Sequence, residues 1–321
     1  MGKRHLKNLK ELGCAVSGMD LRKDRIEEAG SQVEMVKQYT DFDSTLRDLH
    51  YFDGVVIASP PKFHVAQCIE IIKSGKPILL EKPVAPTLAE AKQLKEALND
   101  SPKSQILLGY SYRWWPPLRE FYNRIKKGEI KKPLHVEFVM SAYLGDWHPW
   151  ERYQDFFMAS KELGGGALLD ESHFIDLMLW FFGKPERIFA KIERLSSLEI
   201  DTDDNVDIVA MYSDGLRVII HLDLFGRPHQ KYISITGEKA TLRWSFEPNC
   251  IQFGNNIEQN WDTHSYNFER NDMFLNEVKE LLQLIDGNPG ITCCLQDGLD
   301  VMEIIEVCRK SSSQEKMLAL E

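Results

Sequence analysis

Apolar positions in the first third of the chain change period repeatedly, from helical spacing to short unbroken runs. Leu6, Leu9 and Leu12 fall on one face that Gly13 stops, which predicts a helix over 3–12. Residues 14–21 read as a short buried strand running into Asp20. Helices over 24–30 and 44–49 follow, with a candidate strand at 33–35 between them. Residues 54–58, Gly-Val-Val-Ile-Ala, are a continuous apolar run of the kind buried on both faces of a parallel sheet. Pro60 and Pro61 break it, and a helix resumes over 64–73. A strand at 77–80, a helix at 88–99 and a strand at 105–108 continue the alternation. Such alternation predicts an α/β domain, a Rossmann-like parallel sheet with helices on its faces.

Past Arg113 the texture changes. A helix over 117–127 leads to a strand at 134–140 and an aromatic loop at 143–153. Gly164-Gly165-Gly166 then opens a helix reaching about residue 182. Alternating segments at 188–194, 205–212, 216–224, 232–236 and 241–246 follow, with hairpin turns at Ser213-Asp214-Gly215 and Gly237-Glu238-Lys239. Helices over 272–284 and 297–310 close the chain. The pattern predicts a C-terminal α+β domain on an open, mostly antiparallel sheet. We therefore expect a dinucleotide-binding domain over 1–112 and a substrate-binding and oligomerisation domain over 113–321, the last helix being a candidate to pack back on the first domain.

Composition narrows the class. At 43 % hydrophobic and 27 % charged residues, the chain has enough apolar surface to build cores, which excludes disorder. Its apolar runs are too short or interrupted to span a bilayer, and no charged-then-apolar leader opens it. A net charge of −10 argues against nucleic acid or an anionic membrane as partner. None of the six cysteines forms a C-x-x-C pair, so we expect reduced thiols in the cytoplasm and no metal site.

The candidate chemistry collects where parallel strands end. Gly2 suits the last glycine of a phosphate-binding turn. Asp20, about twenty residues on, suits an acceptor for ribose hydroxyls. Ser59 and Pro60, with His64 leading the next helix, follow the strand at 54–58. Glu81, Lys82 and Pro83 follow the strand at 77–80. Ligands bind outside the carboxyl ends of parallel strands, where an ionised Lys82 would hold substrate oxygens.

These residues, with Gly2-x-x-His5, Gly109, Arg113 and the run from Gly164-Gly165-Gly166 through Asp170 and His173 to Asp176, give the chain its resemblance to the glucose–fructose oxidoreductase/inositol dehydrogenase (Gfo/Idh/MocA) family. The resemblance covers essentially the whole chain. It implies a Rossmann domain, a C-terminal domain on an open sheet, and hydride transfer between NAD or NADP and a carbinol of a sugar, cyclitol or sugar nucleotide. It also implies a homodimer or homotetramer. Gly2, His5, Asp20, Arg22, Ser59, Pro60, His64, Glu81 and Lys82 become expected cofactor residues. His173 becomes the expected general base, with Asp170 orienting it or binding a substrate hydroxyl and Lys82 stabilising charge on the reacting oxygen. Two departures stand out. A first strand and two glycines, roughly ten residues, are not in the sequence, so weaker dinucleotide binding than with a complete turn is expected. Asp170 and His173 are also one residue closer than in many relatives, though still on one helix face.

Aromatic and polar groups suit a sugar face or a nucleobase in the loop carrying Tyr143, Trp147, His148 and Tyr153, with an interface or folded lid as the alternative, and Arg113 would either pair with a carboxylate or phosphate or tie the two domains together. Asp20 favours NAD, with NADP as the alternative because Arg22 and Lys23 follow it. The competing classes are an NAD-using enzyme that cleaves glycosidic bonds and a non-catalytic binding or sensor protein of the same fold.

Overall fold

A computed structural model describes residues 1–101, 103–147, 151–255 and 260–320. The N-terminal part alternates helix and strand: α1 (Gly2–Glu11), β1 (Gly18–Met19), α2 (Lys23–Gln32), β2 (Gln38–Tyr39), α3 (Phe42–Arg47), β3 (Val55–Ile57), α4 (Pro61–Ile72), β4 (Ile78–Leu80), α5 (Leu88–Asp100) and β5 (Ile106–Leu108). Then come α6 (Pro116–Lys126), β6 (Pro133–Ser141), α7 (Ala167–Asp170), α8 (His173–Phe182), β7 (Arg187–Glu193), β8 (Asn205–Met211), β9 (Arg217–Asp223), β10 (Gln230–Gly237) and β11 (Thr241–Ser245). The last elements are β12 (Cys250–Gly254), β13 (Asp262–Ser265), α9 (Asn271–Ile285), α10 (Leu295–Gln314) and β14 (Leu318–Ala319).

The chain divides into two compact units. The first comprises Met1–Ala85, Ala89–Trp114 and Arg270–Gly298; the second comprises Pro86–Leu88, Trp115–Glu269 and Leu299–Glu321. The sequence reading set all of 113–321 in the second domain, but α9 belongs with the first. Its side chains explain why: Phe274 lies under the Arg4 guanidinium at 4.3 Å, and Asn271 donates to Asn8 at 2.8 Å. α9 returns to the first unit, and the first turn of the last helix does so too: a Cβ on Gly298 would meet the Leu108 and Val84 side chains, and Lys95 donates to Gln296 at 3.1 Å. From Leu299 onward α10 belongs to the second unit, where Ser311 and Ser312 accept from the Ala190 and Ile192 amides of β7 at 2.9 Å each.

Among the described residues of the first unit the strands named above pair in parallel, and a single antiparallel bridge joins Leu107 to Cys294. β1 pairs with β2, and β3, β4 and β5 form a separate three-stranded sheet. All six residues of β4 and β5 are buried, as their unbroken apolar runs require of strands covered on both faces. Where residues 14–21 read as a strand, only Gly18–Met19 take regular strand form, with single backbone bonds at Val16 and Asp20; the second strand forms at Gln38–Tyr39 rather than at 33–35.

The second unit is built on nine strands in the order β13-β12-β11-β10-β6-β9-β8-β7-β14. All pairings are antiparallel except β6 with β9, which run parallel at the centre. Val136, Phe138 and Met140 face the helices, and Phe174 and Phe181 of α8 lie 6.1 and 6.3 Å from Phe138, ring to ring. The opposite face carries Phe189, Val209 and Ile219 in one register row, with Ile219 37 % exposed.

One predicted helix is two. α7 ends at Asp170 and α8 starts at His173, with Glu171 and Ser172 between them. The Ser172 hydroxyl donates back to the Leu169 carbonyl at 2.8 Å, a local bond that competes with helix continuation. Asp170 and His173 therefore close one helix and open the next, instead of sharing a continuous face.

Candidate functional site

In the first unit the chemistry gathers at strand ends. Asp20 follows β1, and its Oδ1 accepts the Arg22 amide at 2.9 Å. The Arg22 guanidinium donates to Asp24 at 3.1 and 2.5 Å. Asp20 is half-buried and its other oxygen has no bonded partner among the described residues, so it retains acceptor capacity for a diol.

Ser59 and Pro60 follow β3 and introduce α4, whose Pro61 sits in the first turn, where a missing N–H costs nothing. His64 is fully buried. Its Nδ1 lies 2.8 Å from the Pro83 carbonyl and its Nε2 2.8 Å from the Ser59 carbonyl. Burial lowers its pKa, so the neutral ring donates to one of the two carbonyls. The sequence reading made His64 a cofactor contact; with both nitrogens against main chain, it instead fixes the loops after β3 and β4. Ser59 donates its hydroxyl to Gln67 at 2.6 Å.

Glu81 and Lys82 follow β4. Lys82 is half-buried, whereas Glu81 is buried and accepts from His5 of α1 at 2.6 Å. Burial would raise the Glu81 pKa, but the His5 hydrogen bond and nearby positive charge outweigh it, and the net shift is downward. His5 and Glu81 are thus a buried pair linking α1 to the end of β4; Gly2, at the start of α1, is exposed.

Glu277 of α9, absent from the sequence reading, completes this cluster. It is wholly buried, and neither carboxyl oxygen has a hydrogen-bond partner among the described residues. A Cβ added at Gly109 would lie 3.0 Å from Glu81 Oε2 and 3.2 Å from Glu277 Oε1, so both carboxyls border the space that this glycine leaves open. Burial, then the charges of Glu81 and Glu280, push the Glu277 pKa well above the carboxylate range. The available signal was an acid at helical spacing between Met273 and Leu281, on an apolar stripe.

Arg113 is also held within the first unit. It is buried, 3.1 Å from Asp297 and donating at 3.0 Å to the Thr292 carbonyl. These contacts tie the segment after β5 to residues 292–297 within the first unit, a structural role of the kind expected as the alternative to substrate binding, though not between the domains.

The second unit holds Asp170 and His173. Asp170 is buried and His173 half-buried. The glycines before them permit a close backbone approach: a Cβ on Gly165 would sit 2.4 Å from the Met158 carbonyl oxygen, and one on Gly166 2.4 Å from Asp203 Oδ1. Asp203 closes this turn by accepting the Leu168 amide at 2.8 Å, and burial raises its pKa. The orientation of α8 follows from its last turn. The Tyr212 hydroxyl, just past β8, donates to the Gly183 carbonyl at 2.9 Å, so His173 lies toward the other end of β8. There Asn205 pairs with Asp223, and Asp223 with Ser141.

At that same end Tyr143 follows β6. Its ring lies 6.4 Å from Tyr153 and 3.4 Å from the Arg227 guanidinium. Tyr153 Oη accepts the Glu199 amide at 3.3 Å, and Trp147 is half-buried. His148 lies outside the described residues. Sequence reasoning also missed a charged cluster on the exposed sheet face, where His221 bridges Asp207 at 2.7 Å and Asp223 at 3.0 Å. Hydrogen bonds to these carboxylates raise its pKa to about 9. The i, i+2 spacing of His221 and Asp223 on β9 was the legible signal.

Comparison with known proteins agrees with this layout. Residues 1–108 match the family described as "Oxidoreductase family, NAD-binding Rossmann fold", and residues 118–243 match the GFO/IDH/MocA C-terminal domain. A myo-inositol 2-dehydrogenase of Thermotoga maritima is 24 % identical, the match covering 100 % of this chain and 96 % of that protein. An uncharacterized oxidoreductase of Schizosaccharomyces pombe is 30 % identical over 58 % of this chain, but the match spans only 46 % of that relative's length. Among solved structures, levoglucosan dehydrogenase in complex with NADH superimposes with a TM-score of 0.88 at 19 % identity, covering 100 % of this chain and 96 % of the other. That likeness speaks for the fold. With both domain families matched in order, the chain belongs to the Gfo/Idh/MocA family of oxidoreductases.

Proposed function

We propose that the protein is an NAD-dependent oxidoreductase moving a hydride between the nicotinamide and a carbinol or ketone of a sugar, cyclitol or sugar nucleotide. The observation that carries the reading is Asp20. At the carboxyl end of β1, in a domain of the NAD-binding Rossmann family, it keeps a carboxylate oxygen for a ribose diol while Arg22 is engaged by Asp24. The donor set fits NAD better than a 2′-phosphate, which the carboxylate would repel. Bound there, the cofactor supplies the hydride acceptor or donor. Ser59 and Pro60, positioned by His64, border the same ligand. Lys82 holds the reacting oxygen and favours its anionic form. His173 takes the hydroxyl proton, and Asp170 orients it or binds a neighbouring hydroxyl. Levoglucosan, UDP-GlcNAcA and inositols appear with the relatives and structural neighbours, in keeping with a polyhydroxylated substrate.

The row of half-buried Phe189 and Val209 with exposed Ile219 supports a homodimer or homotetramer through the open face of the nine-stranded sheet, and six free cysteines suit the cytoplasm. The test is NADH formation on a panel of sugars and cyclitols by the full chain and by Lys82→Ala. Turnover in the wild type and its loss in the variant are expected. Equal kcat/KM in the two proteins would remove Lys82 from the mechanism, and no NADH from any polyol would overturn the reading.

A further inference from the structure

The geometry points to Arg227 as a specificity-determining residue that recognises an anionic group, carboxylate or phosphate, on the substrate. The inference rests on the oxidoreductase reading and narrows its substrate class.

The turn that carries Arg227 is built to hold one conformation. Asp223 Oδ1 accepts the amides of Phe225 at 3.0 Å and Gly226 at 2.6 Å. Leu224 is gripped from both sides, its amide donating to the Asp204 carbonyl at 3.0 Å and its carbonyl accepting the Leu144 amide at 2.8 Å. A Cβ at Gly226 would fall 1.7 Å from Ser141 Oγ, so only glycine lets the turn lie this close to β6. Arg227 leaves this turn with its guanidinium over the Tyr143 ring at 3.4 Å.

A cation so placed has its charge supported from one side while its N–H groups stay available at the edge. None of them has an acceptor among the described residues, and no carboxylate pairs with the group. That contrasts with Arg22, Arg113 and Arg124, each of which meets an Asp or Glu in a chain of net charge −10. The location matches the proposed chemistry. Arg227 follows β9, at the end of the sheet toward which the start of α8 lies, and its partner Tyr143 leads through Tyr153 into the loop ending at Gly164–Gly166 and Asp170. Lys231, two residues into the strand ahead, pairs across from Met140 on the helix-covered face and adds positive charge there. A planar guanidinium with an open edge is suited to bidentate capture of a carboxylate or a phosphate.

The experiment compares glucose, glucuronate and glucose 6-phosphate with wild type, Arg227→Ala and Arg227→Lys. Binding is measured by calorimetry, and turnover by NADH formation. The wild type should favour at least one of the two anionic sugars, and the two anions separate carboxylate from phosphate recognition. Losing charge-assisted hydrogen bonds should weaken that ligand in Arg227→Ala roughly ten- to hundredfold more than it weakens glucose, with Lys recovering part of the loss. Equal losses for charged and neutral sugars overturn the inference, as does a wild type that prefers glucose or binds no anionic sugar. Because binding is read without turnover, a chain that captures the anion through Arg227 yet forms no NADH would refute the oxidoreductase reading while upholding the role of Arg227.

Discussion

Replacing Glu277 with Gln should make the first unit less sensitive to rising pH. Both Glu277 oxygens are buried without partners, and one lies within about 6 Å of Glu81 Oε2, as their distances to the Gly109 position require. At an effective dielectric of about 20, two carboxylates that far apart repel by about 3 kcal/mol. Desolvation adds to this, whereas His5 and nearby positive charge hold Glu81 ionised. Glu277 therefore folds protonated. Its folded pKa is raised, so its contribution is fully present below the ordinary value of 4.5 and is lost as pH rises toward the folded value. Within that window each pH unit costs about 1.4 kcal/mol, which an uncharged Gln does not incur. Hydrogen exchange across α9 reads this locally. Comparing wild type with Glu277→Gln at each pH cancels the intrinsic pH dependence of exchange. Protection in the variant should gain on the wild type steadily from pH 5 upward. Parallel protection at every pH would mean that Glu277 ionises freely and that the buried cluster has been misread.

Further outcomes follow from the second unit. His173→Ala should lower turnover by roughly a hundredfold or more if His173 is the general base. Near-full turnover in that variant across neutral pH would remove it from that role. His221 has a folded pKa raised from 6.5 to about 9, so the stability it lends is fully present below pH 6.5 and disappears as pH rises through 9. Thermal unfolding of the wild type should therefore show a falling Tm over that interval, flattened in Asp207→Asn; identical pH profiles would contradict the paired-carboxylate assignment.

Periodicity found the helices because each buries a stripe. α1, α4, α5 and α9 all lie within a few residues of their expected spans. It failed where burial carries no alternation. All four residues of β13 are exposed, so no apolar signal marks that edge strand. The break between α7 and α8 falls on the polar residues Glu171 and Ser172 without interrupting the helical spacing of the apolar positions around it, and it coincides with a serine bonding nearby backbone. The site divides similarly. Glu81, Lys82, Asp170 and His173 sit in motifs that reveal themselves by local spacing. His64 and Arg113 carry the right chemistry, but burial turns them toward main chain and Asp297, which spacing does not report. Arg227 depends on a ring more than eighty residues away in sequence, and Glu277 on an acid nearly two hundred away.

The discontinuous first unit bears on how the chain is made. A ribosome releases residues 1–114 long before α9 exists, so Glu81, Asn8 and Phe274 cannot assemble until residues 270–298 have emerged. The second unit waits as well, since Ser311 and Ser312 supply acceptors for β7 amides more than a hundred residues after β7 itself has emerged. Nascent chains would therefore carry incomplete versions of both units until residues 270–312 have emerged, with apolar strands such as β4 and β5 lacking part of their cover. Contacts spanning most of the chain make for slow folding and a long aggregation-prone interval. Chaperone demand during expression should consequently be high, and chains stopped before α9 should collect in the insoluble fraction.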